Sequence, residues 1–179
     1  MKLKCPSLSL IAITVSLALL SGASTAKSKV EKALKVSLPE ELLNAGGKAV
    51  SGETLSGKYV GLYFSASWCL PCRTFTPKLV EFRNANKDRF EVLLVGADNS
   101  AKAQANYMKK YMMPWLAVKH QSIAANLLVK KMGVSGIPFL VILAPDGSVV
   151  TKDGRGDVDS MGDKAFLKWK NSRGEKGGP

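Results

Sequence analysis

The sequence predicts an α/β domain: a three-layer sandwich in which helices flank a mixed central sheet. Apolar runs of strand length alternate with segments of helical periodicity along most of the chain. Helices that join successive strands imply parallel pairing, whereas a turn signal at residues 146–147 adds a hairpin and therefore antiparallel strands. The 179 residues are 46% hydrophobic and 22% charged, which is the composition of one globular domain.

Residues 1–26 have the pattern of a signal peptide. Lys2 and Lys4 give a positive start, residues 8–20 are apolar apart from Ser and Thr, and small residues precede a cleavage point after Ala26. The apolar run is shorter than the ~20 residues that a membrane-spanning helix needs. We therefore expect cleavage, no stable membrane span afterwards, and export to a periplasmic or secreted location, where disulfides persist. An uncleaved anchor is the alternative.

The chain that follows begins with weaker signals. Residues 27–36 are rich in lysine and predict a loose lead-in. Residues 37–40, Ser-Leu-Pro-Glu, match a capping box and predict a short helix through Leu43, which residues 44–47 end. A short strand is expected near residues 48–50.

Three apolar runs predict the buried strands of the sheet, at residues 59–64, 90–97 and 139–143. Helices are predicted at residues 70–86, 101–112, 122–132 and 159–169. Pro77 lies inside the first helix and predicts a kink. The domain is expected to span residues 37–170, with a flexible, polar and glycine-rich tail at residues 171–179.

The charge balance limits the kinds of partner. There are 26 Lys and Arg residues against 14 Asp and Glu residues, a formal net charge of +12. The lysines are spread along the chain rather than clustered, so we expect no nucleic-acid partner. A general affinity for acidic surfaces or anionic lipid fits this composition better.

Cys69 and Cys72 are the only cysteines after Cys5. A structural zinc site needs four ligands, and the mature chain adds only His120 to the two thiols, so we expect no metal. Haem attachment would need histidine in place of Arg73. A structural bridge is possible but would restrain little of the unfolded chain, whereas thiol–disulfide exchange suits this spacing.

The position of the pair favours exchange. Cys69 opens a predicted helix, where unpaired N–H groups and the helix dipole stabilise a thiolate and lower the pKa of its thiol. Cys72 follows one turn later and is expected to be more buried. Leu70 and Pro71 lie between them, and proline is tolerated in a first helical turn. Trp68 provides an apolar wall beside Cys69, or else is a core aromatic residue.

The motif WCLPC, between a buried strand and a proline-containing helix, resembles the active-site motif of the thioredoxin fold. A longer match resembles its nucleoredoxin and tryparedoxin branch and covers about residues 58–147. Four segments carry it: LYFSASWCLPCRTFTPKLVEF (62–82), FEVLLVGAD (90–98), MPWLAV (113–118) and GVSGIPFLVILAPDG (133–147). A Cys-x-x-Cys pair alone is a modest signal, but these segments in this order are a specific one.

The resemblance implies roles for individual residues. Cys69 is the attacking thiol and Cys72 the resolving thiol. Pro138 matches the family's cis-proline, and Ile137 before it faces the cysteines and binds the backbone of the substrate; Trp68 and the residues between the cysteines complete the substrate contacts. A strand that begins at Pro138 starts at the edge where parallel strands end, which agrees with this placement. An ordinary trans proline is the alternative.

Two positions depart from the family. Many thioredoxins carry a buried Asp where this chain has Tyr63. The nucleoredoxin branch often reads Trp-Asp-Glu at the end of the next strand, where this chain reads Ala97-Asp98-Asn99. Asp98 keeps its register and is a candidate proton acceptor for the resolving thiol; a cap of the following helix is the alternative. His120 is expected to be a surface residue.

The pair and the resemblance together imply an exported thiol–disulfide oxidoreductase that reduces protein disulfides through Cys69 and Cys72. A disulfide oxidase or isomerase would use the same residues at a different redox potential. A non-catalytic binding module with this fold is a further alternative. We expect a monomer without cofactor, with protein disulfides or dithiols as substrates. The electron donor is expected to be a protein, because no glycine-rich nucleotide motif is present.

Overall fold

The computed structural model describes residues 34–174, which form a seven-stranded mixed sheet flanked by five helices. In sheet order the strands are β2 (Ala49–Ser51), β1 (Glu41–Leu43), β5 (Leu116–Ala117), β4 (Phe90–Gly96), β3 (Tyr59–Ser65), β6 (Phe139–Leu143) and β7 (Val149–Thr151). The helices are α1 (Leu70–Ala85), α2 (Ala101–Lys110), α3 (Ile123–Met132), α4 (Gly154–Met161) and α5 (Lys164–Ser172). A short 3₁₀ helix, Gly52–Leu55, precedes β3. The predicted fold class is confirmed.

The three strands predicted from apolar runs form the centre of the sheet. β3 pairs in parallel with β4, with Leu62 opposite Leu93, and antiparallel with β6, with Leu62 opposite Val141. Every residue of β3 is buried. Because β3 is paired on both edges and covered on both faces, its end is a rigid support for the loop that follows, which carries Cys69 and Cys72.

Helices pack on both faces of the sheet. On one face, α1 contributes Phe75 and Phe82 to a core that also includes Trp169 of α5. On the other face, α3 contributes Leu128 and Met132 to a second core. The buried side chains of α1 hold its first turn in place at the end of β3, and α1 continues as one helix through its internal proline.

The segment before β3 differs from the prediction. The prediction of a helix at residues 37–43 is wrong. Glu41–Leu43 forms strand β1, which pairs with β2 and with β5. Asn44 closes the β1–β2 hairpin, since its Oδ1 accepts hydrogen bonds from the N–H groups of Gly46 (2.9 Å) and Lys48 (3.1 Å). A capping-box pattern is a local signal of four residues, and strand pairing with full burial of Leu42 outweighs it.

The lead-in is also more closely packed than predicted. Val36 is buried, and its N–H donates to Gly147 O at 2.8 Å, in the turn between β6 and β7. The predicted signal peptide, the rest of the lead-in and the end of the predicted tail lie outside the described residues. Between residues 34 and 174, no helix is both long and apolar enough to cross a membrane.

The single terminal helix predicted for residues 159–169 is instead two helices. Asp153 caps α4 by accepting a hydrogen bond from Gly156 N, and α4 therefore begins five residues earlier than predicted. Gly162, with a φ of 53°, separates α4 from α5. Buried Asp157 accepts a hydrogen bond from Trp169 Nε1 at 2.7 Å and so ties the two helices together. Since α5 continues to Ser172, the predicted tail begins too early.

Candidate active site

The loop between β3 and α1 carries the two cysteines. Cys69 is the N-cap of α1, with extended backbone, and its Sγ accepts a hydrogen bond from the N–H of Cys72 at 3.2 Å. Pro71 falls in the first helical turn, where the N–H that it lacks would have no helical partner. The two sulfurs form a disulfide, with Cα atoms 5.2 Å apart. The structure thus places the pair at the start of a helix, as the sequence predicts.

The two cysteines differ in exposure. Cys72 is fully buried, whereas Cys69 keeps 5% of its surface accessible. Trp68 and Leu70 flank Cys69 in the chain and are 58% and 65% exposed, so Trp68 is not a core aromatic residue. The Nε1–H of Trp68 donates to Ala97 O at 3.0 Å, which fixes the ring against the loop after β4. Cys69 is therefore the accessible sulfur of the pair, beside an exposed apolar rim.

The segment before β6 lies against the same sulfur. The Ile137–Pro138 peptide bond is cis. Ile137 O lies 3.6 Å from Cys69 Sγ, and the Ile137 side chain packs against Ala66 and both cysteines. The structure thus brings together two segments that are 68 residues apart in the chain. The accessible sulfur of the pair therefore has the backbone carbonyl of Ile137 beside it.

Asp98 lies after β4 and binds the loop that precedes the cysteines. Its Oδ1 accepts hydrogen bonds from Ser67 N (2.9 Å) and Ser67 Oγ (2.6 Å). Its Oδ2 is buried and has no hydrogen-bond partner among the described residues. Ser100, not Asp98, caps α2 by accepting from Ala103 N at 3.1 Å, so the capping alternative is wrong. Asp98 thus anchors the active-site loop and retains one free carboxylate oxygen.

His120 is not simply a surface residue. It is half-buried, and its Nε2 lies 2.6 Å from the carbonyl oxygen of Asp98. Because a carbonyl only accepts, Nε2 carries the hydrogen of this bond. The loops after β3, β4 and β5 therefore meet at the Ala97–Asp98 backbone, through Trp68 and His120. No sequence motif indicates this contact of His120.

A buried network of hydroxyl groups holds the backbone of Cys72. Thr76 Oγ1 donates to Cys72 O at 2.8 Å, and Tyr63 Oη lies 3.3 Å from the same oxygen and 2.9 Å from Thr76 Oγ1. Tyr107 Oη continues the network, 2.7 Å from Thr76 Oγ1 and 3.0 Å from Ser65 Oγ. Burial raises the pKa of Tyr63 well above its ordinary value, so the phenol stays neutral.

This network occupies the place where many thioredoxins have a carboxylate. A neutral phenol at Tyr63 cannot take a proton from the resolving thiol, but it fixes the carbonyl of Cys72 and with it the first turn of α1. Sequence analysis missed the other members. The only signal for them is that Thr76 lies one helical turn after Cys72, where its hydroxyl reaches back to that carbonyl.

Comparison with known proteins agrees with this fold and site. The model of the thioredoxin-like family matches residues 57–149. Nucleoredoxin of Bos taurus is 38% identical over 132 residues, which is 72% of this chain and 30% of that protein. Tryparedoxin from Trypanosoma brucei is 40% identical, with a TM-score of 0.64 over 74% of this chain and 94% of that chain. Tryparedoxin II complexed with glutathionylspermidine is 35% identical, with a TM-score of 0.65 over 73% and 92% of the two chains.

The extent of these matches differs between the two kinds of relative. The chain spans 30% of the length of the bovine nucleoredoxin but aligns with 94% of the Trypanosoma brucei tryparedoxin. The family match includes both cysteines, Asp98 and the Ile137–Pro138 segment, so it covers every candidate site residue. The chain therefore belongs to the thioredoxin-like oxidoreductase family, with nucleoredoxins and tryparedoxins as relatives, and carries its Cys-x-x-Cys pair at Cys69 and Cys72.

Proposed function

We propose that this protein is a thiol–disulfide oxidoreductase that reduces protein disulfides through Cys69 and Cys72. The observation that supports this most directly is the disulfide at the start of α1, with Cys69 Sγ 3.6 Å from Ile137 O. A bridge over so short a loop adds little stability, so stabilisation does not account for the pair. A neighbouring backbone segment beside the accessible sulfur suits a substrate that must be held during exchange.

In the first step, the Cys69 thiolate attacks one sulfur of the substrate disulfide. The N–H of Cys72 and the start of α1 stabilise the negative charge on Cys69 Sγ before attack. The S–S bond of the substrate breaks, and a new S–S bond joins Cys69 to the substrate. The leaving sulfur departs as a thiolate and takes up a proton. The substrate backbone lies along Ile137 and Pro138, with Trp68 at the rim.

In the second step, Cys72 attacks Cys69 Sγ and releases the other substrate sulfur as a thiolate, which is then protonated. The substrate has gained two electrons, and the enzyme has become the Cys69–Cys72 disulfide. Cys72 must lose its proton before it attacks. We assign Asp98 as the acceptor, because its Oδ2 is buried and free of hydrogen bonds among the described residues.

The test compares two cysteine variants. In Cys72→Ser, Cys69 still attacks a substrate disulfide but nothing resolves the product, so covalent mixed disulfides accumulate. In Cys69→Ser, the remaining thiol is fully buried, so almost no mixed disulfide forms. Non-reducing gels, with and without added reductant, measure both outcomes.

The double variant, with Cys69 and Cys72 both replaced by Ser, is the matched control and reports any trapping through Cys5. Equal trapping by the two single variants, or trapping by neither, rejects the exchange mechanism as assigned. The alternative function, a binding module without turnover, needs a separate test. Such a module would fail to reduce an added protein disulfide when dithiothreitol supplies the electrons.

We propose a reducing couple, with a potential below about −200 mV, toward the values of glutaredoxins and thioredoxin. Leu70 and Pro71 place no charged or imidazole group between the thiols that would further stabilise the thiolate. Equilibration with glutathione and dithiothreitol buffers, followed by thiol alkylation and mass spectrometry, measures the potential. A value near about −120 mV would assign a disulfide oxidase instead.

Polypeptides are the substrate class that the rim of the site favours. Trp68 and Leu70 expose large apolar surfaces beside Cys69, and such surfaces bind extended chains better than small polar thiols. A related tryparedoxin is complexed with glutathionylspermidine, so small-molecule disulfides are the competing class. Turnover with a protein disulfide and with a small disulfide, at matched concentrations, separates the two. The electron donor is proposed to be another protein.

We also propose that the protein is exported and acts as a monomer. The support for export is the pattern of residues 1–26, a basic start followed by an apolar run and small residues. Cell fractionation with mass spectrometry of the N-terminus tests cleavage after Ala26. Recovery of an intact N-terminus in the membrane fraction would favour an anchor. Sedimentation of the recovered protein measures its oligomeric state.

A further inference from the structure

The outward face of α3 exposes two large aliphatic side chains. Ile123 and Leu127 are 81% and 60% exposed, and four residues apart they share one face of the helix. The inner face is already packed, with Ala125, Leu128 and Met132 buried in the core. Ile123 and Leu127 are therefore an outer surface of α3 and not part of its packing against the sheet.

Lysines continue this face toward the C-terminal end of α3. Lys130 and Lys131 follow Leu127 by three and four residues and are exposed. Lys152 reaches the same end and donates to Met132 O at 2.8 Å. None of these three lysines forms an ion pair with a carboxylate of residues 34–174. We call Ile123, Leu127, Lys130, Lys131 and Lys152 the α3 face.

A comparison with helix α2 shows which feature of the α3 face is unusual. Lysines at the C-terminal end of a helix are favoured by its dipole, and α2 also ends in two of them, Lys109 and Lys110. Its large apolar residues, Tyr107 and Met108, are buried, so α2 exposes no aliphatic pair. The dipole alone therefore accounts for the lysines of α2 but not for the combination found on α3.

An apolar groove of about 690 Å³ borders the α3 face. One wall is the segment of residues 36–39, and the other is α3 with Leu127 and Leu128. Lys131 Nζ donates to Lys35 O and so joins the two walls. The groove extends the exposed apolar surface beyond two side chains, while Lys130 and Lys131 border it with positive charge.

We propose that the α3 face docks onto a membrane surface that contains anionic lipid. Ile123 and Leu127 enter the boundary between headgroups and acyl chains, and the lysines stay at the level of the phosphates on their flexible stems. The formal net charge of +12 adds attraction to such a surface. A second copy of this chain fits poorly, because a symmetric contact would bring the lysines against the same lysines. This docking is independent of the proposed redox activity.

The experiment measures co-sedimentation of the full chain with vesicles. One set is phosphatidylcholine, and in the other one third of the lipid is phosphatidylglycerol. Lipid is adjusted so that half of the unmodified protein binds the second set, and binding to the first set gives the contribution that does not depend on anionic lipid. Lys130→Gln with Lys131→Gln should lower binding to the anionic vesicles about tenfold or more. Ile123→Ser with Leu127→Ser should lower it by a similar factor.

Two matched controls separate the α3 face from general charge and apolarity. Lys109→Gln with Lys110→Gln removes the same charge from the end of α2, and Leu167→Ser removes a half-exposed aliphatic side chain from α5. Both should bind almost as the unmodified protein does, and all variants should keep their disulfide-reducing turnover in solution. Equal binding to the two vesicle sets overturns the proposal, because anionic lipid would then contribute nothing to binding. Equal loss in the α2 and α3 lysine variants also overturns it, because net charge alone would then account for binding.

Discussion

Asp98→Asn separates the two roles that the structure gives to Asp98. An asparagine oxygen in the place of Oδ1 still accepts from Ser67 N and Ser67 Oγ, which lie at 2.9 and 2.6 Å in the unmodified protein. What the substitution removes is the negative charge and the free Oδ2. The active-site loop therefore keeps its anchor while the candidate proton acceptor is lost.

The effect on stability is expected to be moderate. The new NH₂ group takes the place of Oδ2, which is buried and has no partner among the described residues. An unpaired buried polar group costs about 1–3 kcal/mol, and because both versions carry one at this place, the net change should lie within that range. For a chain of this length each kcal/mol lowers the melting temperature by about 2–4 °C. Thermal unfolding thus checks that the variant remains folded at assay temperature.

The effect on catalysis is expected in the second step. General-base help is worth roughly 10²-fold or more, so release of substrate from the mixed disulfide should slow by that factor, while the first attack by Cys69 changes little. Acid-quenched samples analysed by mass spectrometry measure the mixed disulfide directly over time. It should accumulate in Asp98→Asn and remain transient in the unmodified protein.

Ser67→Ala is the matched control. It breaks the 2.6 Å hydrogen bond to Asp98 but leaves the carboxylate in place, so release should stay within a few fold. If Asp98→Asn releases substrate at the unmodified rate, with the same pH dependence between about pH 6 and 9, Asp98 is only a loop anchor and the assignment as proton acceptor is refuted.

Three further substitutions test the packing and the ionisable groups. Tyr63→Phe should cost about 1–2 kcal/mol near neutral pH. Because the folded pKa of Tyr63 is raised, the stability it contributes is lost above pH 10, and a urea-unfolding difference from the unmodified protein that stays constant there would contradict this. Gly61→Ala would place a Cβ 2.8 Å from Phe90 Cζ and should cost about 1–3 kcal/mol in thermal unfolding; an unchanged melting temperature would show that the core yields. The pKa of Asp146 is lowered to about 2 by hydrogen bonds from Ser148, so the advantage of the unmodified protein over Asp146→Asn should vanish as pH falls from about 4 to 2 in acid unfolding, and should persist above that range.

The centre of the fold could be predicted because burial on both faces leaves a clear pattern. β3, β4 and β6 are continuous apolar runs of strand length, and such runs are typical of strands that are covered on both faces of a sheet. The start of α1 was equally clear, since Pro71 is favoured in a first helical turn and the residues before it belong to an apolar strand. The position of the two cysteines could therefore be predicted from the local sequence.

The short strands could not be predicted in the same way. β1 has three residues and β5 has two, and neither length carries a period that distinguishes a strand from a turn. Their strand structure comes from pairing between Leu43 and Ala117, which are far apart in the chain. The contact of Asp98 with Ser67 and the bond of His120 to the Asp98 carbonyl also join residues far apart in the chain, through the parallel pairing of β4 with β3 and with β5.

The placement of Trp68 gives this protein an optical signal of its own state. The chain has three tryptophans; Trp115 and Trp169 are buried in the core, whereas Trp68 is exposed, adjoins Cys69 in the chain and is fixed through its Nε1–H. A disulfide accepts an electron from an excited indole nearby and quenches its fluorescence, and a dithiol does so far less. Reduction should therefore brighten the emission of Trp68 in particular, so that each turnover can be followed in a cuvette without a label.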